Sequence, residues 1–248
     1  MLIKDCAALV TGANRGIGRA LVSELLGAGA RKVYATARDA KKLPPFDGAD
    51  AARVVYLKLD VTKPEDIAEA TRAARDVTLL VNNAGVAELG DAAETSSESV
   101  RRVFDVNVMG LLEMARAFAS VIEMNGGGAI ANVLSVAAFA SMPGFAAYCA
   151  SKAAAWSLTQ GLRASLARKG VAVHAIFPGP IDTDMAADIS LEKTSPAACA
   201  RAIVAGIAAG VEDIFPDPMA LRVADAWERD PRKVAKDFVA RGPELLQS

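Results

Sequence analysis

Ser135, Tyr148 and Lys152 are the side chains whose types and spacing best allow chemistry. Tyr148 and Lys152 stand four residues apart, so on a helix they share one face. A free phenol has a pKa near ~10 and holds its proton too tightly to cycle well at neutral pH. A lysine cation beside it favours the phenolate and lowers that value. Such a phenol can give a proton to a substrate oxygen and take one back. Ser135, at the end of a predicted strand, offers a hydroxyl to the same oxygen and stabilises charge developing there. An isolated Tyr-x-x-x-Lys pair is commonplace on helix surfaces, so the weight of this one depends on what surrounds it.

A second constellation lies near the start of the chain. Val10-Thr11-Gly12-Ala13-Asn14-Arg15-Gly16-Ile17-Gly18 follows a predicted strand, Cys6–Val10, and opens a predicted helix, Gly16–Gly27. Gly12 permits a sharp turn. Gly16 lets the backbone approach a diphosphate, and Gly18 allows close helix–strand packing. A pyrophosphate would then rest at the positive end of the helix. Dinucleotide sites that prefer NAD place an acid at the end of the second strand. Here that strand ends Tyr34-Ala35-Thr36-Ala37-Arg38, with Ala37 in the acid's place. Arg38, with Arg15 directed to the same pocket, suits a 2′-phosphate, which accepts bidentate guanidinium bonds. The expected coenzyme is therefore NADP(H). Asp39 is positioned to compete for Arg38.

These residues need a scaffold, and the chain alternates short apolar runs with amphipathic segments. Strands are predicted at Cys6–Val10, Lys32–Thr36, Val54–Leu59, Leu79–Val81, Ala129–Leu134 and Val171–Phe177, with a last edge strand at Asp213–Phe215. Helices are predicted at Gly16–Gly27, at Pro64–Arg75 with Thr62 as its cap, at Ser97–Asn125, at Phe145–Lys169 and at Pro196–Gly210. A charged amphipathic helix is predicted over Ala220–Arg241. Strand–helix alternation with doubly apolar strands implies α/β: a Rossmann-like, doubly wound parallel sheet in three α/β/α layers. One domain is expected over 1–248, with a substrate loop at about 180–200 and the C-terminal helix at about 219–241.

Composition narrows the function classes. The 248 residues are 52% hydrophobic, enough for a sizeable core, and carry a net charge of −1. Nothing global attracts nucleic acid or an anionic membrane, and no apolar run is long enough to span a bilayer. Cys6, Cys149 and Cys199 are odd in number and without a CxxC, which suits a reducing cytoplasm. The single histidine, His174, disfavours zinc sites and a Ser-His-Asp triad.

Taken in order, Thr11-Gly12 through Gly18, Asn82-Asn83-Ala84-Gly85, Asn107, Ser135 thirteen residues before Tyr148, Lys152 and Pro178-Gly179 resemble the short-chain dehydrogenase/reductase superfamily. The resemblance covers about Asp5 to Met185. It implies that Asp60 contacts adenine, with Val61 beside it, and that Asn83, Ala84 and Gly85 pass close to the nicotinamide ribose. It implies that Lys152 also binds that ribose. Asn107 would kink its helix and hold a water that relays protons from Lys152. Pro178 and Gly179 would face the nicotinamide, with Ile181 and Thr183 near its carboxamide. His174 stands where many relatives carry Asn, and on a buried strand it reads as a satisfied core residue. The Ile214–Pro218 ending departs from the glycine-rich ending of tetrameric relatives. A homodimer or homotetramer is expected, the dimer using the helices that carry Asn107 and Tyr148.

Ala137, Phe139, Met142, Phe145, Pro180, Met185 and Ile189 are the expected pocket lining, with Lys193 nearby and no arginine clamp. The expected substrate is a ketone or aldehyde with apolar or aromatic substituents, and the loop 186–195 would close over it. Cys149 reads as a small buried thiol. The implied activity is reversible, NADPH-dependent carbonyl reduction by a CH–OH oxidoreductase. A non-catalytic NADP-binding sensor or scaffold, and an NAD-linked alcohol oxidation, remain as alternatives.

Overall fold

The computed structural model describes residues 3–187 and 190–241. Strands β1 (Ala7–Val10), β2 (Lys32–Ala37), β3 (Val54–Lys58), β4 (Leu79–Asn82), β5 (Gly128–Val133), β6 (Val171–Ile176) and β7 (Asp213–Ile214) form one sheet. Its order is β3-β2-β1-β4-β5-β6-β7, and every adjacent pair is parallel. The chain thus winds outward twice from a switch between β1 and β4, where open α/β sheets bind ligands.

Helices α1 (Gly16–Gly27), a short α2 (Gly48–Ala51), α3 (Pro64–Ala73), α4 (Ser97–Phe104), α5 (Leu111–Met124), α6 (Ala146–Leu166), α7 (Pro196–Ala209), α8 (Pro218–Arg229) and α9 (Pro231–Arg241) complete the fold. One core layer joins Leu21, Leu25 and Leu26 of α1 to Ile203 and Ile207 of α7 through Val10, Val33 and Val81. The other packs Ile67 of α3 and Phe118 and Ile122 of α5 against Leu9, Leu80 and Ile130. Neighbouring residues such as Leu9 and Val10 serve opposite layers because side chains alternate along a strand. This is the three-layer arrangement expected.

Three local readings change. Lys63, not Thr62, is the N-cap residue of α3; the Thr62 hydroxyl donates instead to Asp60 at 2.8 Å. The predicted helix over Ser97–Asn125 is interrupted by a π-helical stretch, Asp105–Gly110, that contains Asn107; such bulges bend helices, often at functional sites. The predicted single helix over Ala220–Arg241 is two. Pro231 lacks an N–H and drives the preceding residue out of the helical region, and Asp230 is extended at φ −154° and ψ 89°.

Candidate active site

The glycine turn folds as its sequence requires. Gly12 and Gly16 have φ of +66° and +54°, in the left-handed region glycine tolerates. A Cβ at Gly18 would run into the Gly12 carbonyl and the Asn83 amide. α1 starts with no side-chain cap and no acidic residue in its first turn. Its first N–H donors are therefore left for another acceptor. Thr183 lies across this opening: a Cβ at Gly16 would come 3.0 Å from its Cγ2.

Asn83 is tied to the turn rather than free. Its Nδ2 donates to the Thr11 and Gly12 carbonyls at 2.9 and 3.1 Å. The Thr11 hydroxyl accepts from the N–H groups of Asn83 and Ala84, both at 2.9 Å. Thr11, absent from the sequence-based site, is thus the pin that sets β4's exit against β1's exit. The T before the first glycine was its only signal. Gly85 brings Asn107 and Lys152 together, since a Cβ there would be 3.4 Å from Asn107 Oδ1 and 3.7 Å from Lys152 Nζ.

Asn107 is 2% exposed and its amide is committed to the protein. Its Oδ1 accepts from Val86 N–H, and its Nδ2 donates to the Val86 carbonyl and the Ser151 hydroxyl, each at 2.9 Å. Lys152 is 5% exposed, and its Nζ donates to the Val133 carbonyl at 2.9 Å. That Nζ sits 5.6 Å from the centre of the Tyr148 ring. Tyr148 is half-buried, on the same helix, α6. Ser135 accepts from Ala137 N–H at 3.1 Å and donates to the Pro178 carbonyl at 3.4 Å. The four predicted catalytic residues therefore converge at the C-terminal ends of β4, β5 and β6.

The electrostatics differ from the sequence reading. Burial pushes the Tyr148 phenol up to about 12, partly offset by a hydrogen bond with Ser135. Burial pushes Lys152 down to about 8. The expected lowering of the phenol by the lysine is not realised, because desolvation outweighs a cation at this separation.

At the second strand's end, Ala37 is buried and Arg38 is exposed. Asp39 does not compete for Arg38; it caps the turn at Ala40–Lys42 by accepting from Lys41 N–H at 3.0 Å. Arg15 departs from expectation: its guanidinium pairs with Asp184 on the loop after β6 instead of standing free beside Arg38. Asp60 accepts from the N–H and hydroxyl of Thr62, and buried Val61 packs against the helix at Gly110. Pro178, Gly179 and buried Ile181 follow β6 directly.

The substrate side is mixed. Ala137 is buried, Met142 and Phe145 are half-buried, and Met185 is half exposed. Phe139 is not an open wall: it is 8% exposed, with ring centres 4.8 Å from Trp156 and 4.9 Å from Phe177. Its aromatic partners claim its surface. Ile189 lies outside the described residues. The loop's neck is closed by Asp182 N–H donating to Thr194 O at 2.9 Å and Thr194 N–H to Pro180 O at 3.0 Å. Cys149 is buried and its thiol is pushed up by burial. His174 is buried, and its Nδ1 lies 2.6 Å from the Val211 carbonyl. Its Nε2 has no partner among the described residues, so it is only half satisfied. Among the described residues no helix is long and apolar enough to cross a membrane, and no cluster of potential metal ligands occurs. A groove of about 1280 Å³ lies between α3 and α5 and holds none of Asn107, Ser135, Tyr148 and Lys152.

This sheet order, glycine turn and Ser–Tyr–Lys convergence define an oxidoreductase of the Rossmann-like class. The sequence profile described as short chain dehydrogenase matches residues 6–194, and the chain belongs to that family. It is 40% identical over 186 residues to galactitol 2-dehydrogenase (L-tagatose-forming) of Cereibacter sphaeroides, covering 73% of this chain and 72% of that protein. It is similar to the crystal structure of a short chain dehydrogenase from Burkholderia cenocepacia in complex with NADP, with a TM-score of 0.90 and 38% identity over 97% of this chain and 100% of that one. A short chain dehydrogenase/reductase from Burkholderia phymatum in complex with NAD matches with a TM-score of 0.82 and 25% identity, covering 95% and 97%.

Proposed function

We propose that the chain reduces a ketone or aldehyde to an alcohol with NADPH, using Tyr148 as the proton donor. The observation that carries this reading is the gathering of Ser135, Tyr148 and Lys152 at the strand ends, with Gly85 against Lys152 and the neighbouring Ala84 against Gly12 of the glycine turn. At neutral pH a phenol pushed up to about 12 is protonated, which is the form that donates in the reductive direction. The coenzyme fits the residues present: the first turn of α1, with no side-chain cap, offers its N–H donors to a diphosphate. Bound there, the nicotinamide supplies the hydride.

The chain's own residues do the rest. Tyr148 gives its proton to the carbonyl oxygen, and the Ser135 hydroxyl, rotating off the Pro178 carbonyl, donates to that same oxygen. Lys152, anchored on Val133, binds the ribose and favours the phenolate left behind. Asn107 fixes the 86 loop against Ser151 through its side-chain amide, and a water on its main chain would return a proton to Lys152. Asn14, Ile17, Asp60, Val61, Ala84, Gly85, Pro178, Gly179, Ile181 and Thr183 border the coenzyme. Arg38 takes the 2′-phosphate. The NADP complex of the Burkholderia cenocepacia relative supports a nicotinamide dinucleotide here, and Arg38 with no acid at Ala37 is the reason for choosing NADP. Arg15 joins Arg38 only by exchanging Asp184 for phosphate. A homo-oligomer that uses the helices carrying Asn107 and Tyr148 is part of the same reading, supported by the groove between α5 and α6 lined by Leu112, Leu158 and Leu162.

The test is a panel of simple aryl and alkyl carbonyls with NADPH and NADH side by side. NADPH-selective consumption supports the reading. Tight NADPH binding without turnover across the panel would make the protein a sensor, and faster turnover with NAD and alcohols would make it an NAD-linked alcohol dehydrogenase working in oxidation.

A further inference from the structure

The Pro178–Gly179 turn after β6 is held from both sides. On one side the Pro178 carbonyl accepts from Val136 N–H at 3.0 Å and from the Ser135 hydroxyl at 3.4 Å. On the other, Gly179 N–H donates to Asp217 Oδ2 at 2.7 Å. The second carboxylate oxygen, Oδ1, accepts from Ala220 N–H at 2.9 Å and caps α8. Asp217 is 4% exposed. A Cβ on Gly179 would lie 2.7 Å from Asp217 Oδ1 and 3.0 Å from the Cβ of Met219, so the turn is pressed directly onto the cap.

Burying a carboxylate is costly unless its oxygens are bonded. Serine caps helices about as well as aspartate and carries no charge to bury. Capping alone therefore does not account for aspartate here. What a carboxylate adds is a second acceptor reaching back to Gly179.

We infer that Asp217 is a positioning residue for the nicotinamide end of the cleft, fixing Gly179 with one oxygen and, through the Pro178 carbonyl, the hydroxyl of Ser135. The inference rests on the coenzyme reading above and names a residue outside the glycine, Ser–Tyr–Lys and Pro-Gly motifs.

Asp217→Ser keeps an oxygen for Ala220 N–H and loses the reach to Gly179. The two ends of the site are read separately, with NADPH as the whole ligand and adenosine 2′,5′-bisphosphate as its adenine end. NADPH affinity and kcat each fall about tenfold in the variant, the scale of one hydrogen bond to a charged group, while bisphosphate affinity stays within about twofold. Equal weakening of both ligands, or no change in either, overturns the inference while leaving the coenzyme reading intact. A parent protein that binds neither ligand overturns the coenzyme reading and the inference with it. Should Asp217→Ser fail to fold, Asp217→Asn carries the same comparison, because an amide has one acceptor oxygen for two N–H donors.

Discussion

The two ends of the cleft are built on opposite principles. At the end that carries Tyr148, the polar groups are buried and already bonded to protein: Lys152 to Val133, and Asn107 to Val86 and Ser151. At the end that carries Arg38, the charges are exposed, and one of them, Arg15, is paired with a loop residue. The buried end is organised before any ligand arrives, so interactions there act on the chemical step. The exposed end works through charge in high dielectric, where each pair contributes modestly. Catalysis and coenzyme choice should therefore fail separately.

The largest expected effect breaks the buried end. Lys152→Met removes the only cation described as standing over the Tyr148 ring, and turnover should fall by roughly 10²–10⁴, the range general acid–base catalysis spans. Adenosine 2′,5′-bisphosphate affinity, measured by titration calorimetry, should hardly move. Parallel losses in both would erase the distinction between the ends.

A smaller effect belongs to the exposed end. Arg38→Asp replaces a phosphate ligand by an acid suited to ribose hydroxyls. The ratio of kcat/KM for NADPH over NADH should fall by about 10- to 100-fold, as expected for one charge-assisted bidentate contact. The kcat with saturating coenzyme should stay near the parent's. An unchanged ratio would remove Arg38 from the site.

The smallest effect is thermal. Lys152 is pushed down to about 8 in the folded chain from an ordinary value of 10.5. Below pH 8 both states are protonated and the folded state bears the cost of burying the charge. Between pH 8 and 10.5 the unfolded chain binds more protons, so this group's cost is relieved as pH rises. Lys152→Met should therefore gain Tm relative to the parent at pH 7 compared with pH 10, by about 5 °C. A difference independent of pH would mean the ammonium is not desolvated.

Much of the site was legible because its spacing is local. Tyr148 and Lys152 share a helix face, Gly12 to Gly18 form one turn, and each strand ends where its motif begins. The doubly wound parallel sheet followed from alternation of strand and helix, whereas its strand order came only from the structure. Contacts between distant segments were not legible. Asp217 meets Gly179 because the sheet sets β7 beside β6, and Asp184 meets Arg15 because the loop after β6 reaches back to the glycine turn. Phe139 reads as pocket wall in sequence because its partners Trp156 and Phe177 come from other elements. The shift of Tyr148 has the same origin: proximity to Lys152 is written in the sequence, whereas burial is a property of the assembled fold. Pro231 was a local signal against one long C-terminal helix, outweighed by an amphipathic pattern that continues across it.

The most direct measurement is single-turnover reduction by Tyr148→Phe, with NADPH binding titrated on the same sample. The account predicts that the variant binds NADPH within about twofold of the parent while hydride transfer slows by roughly 10²–10⁴, because only the donated proton has been removed. Hydride transfer at the parent's rate with NADPH bound would contradict it.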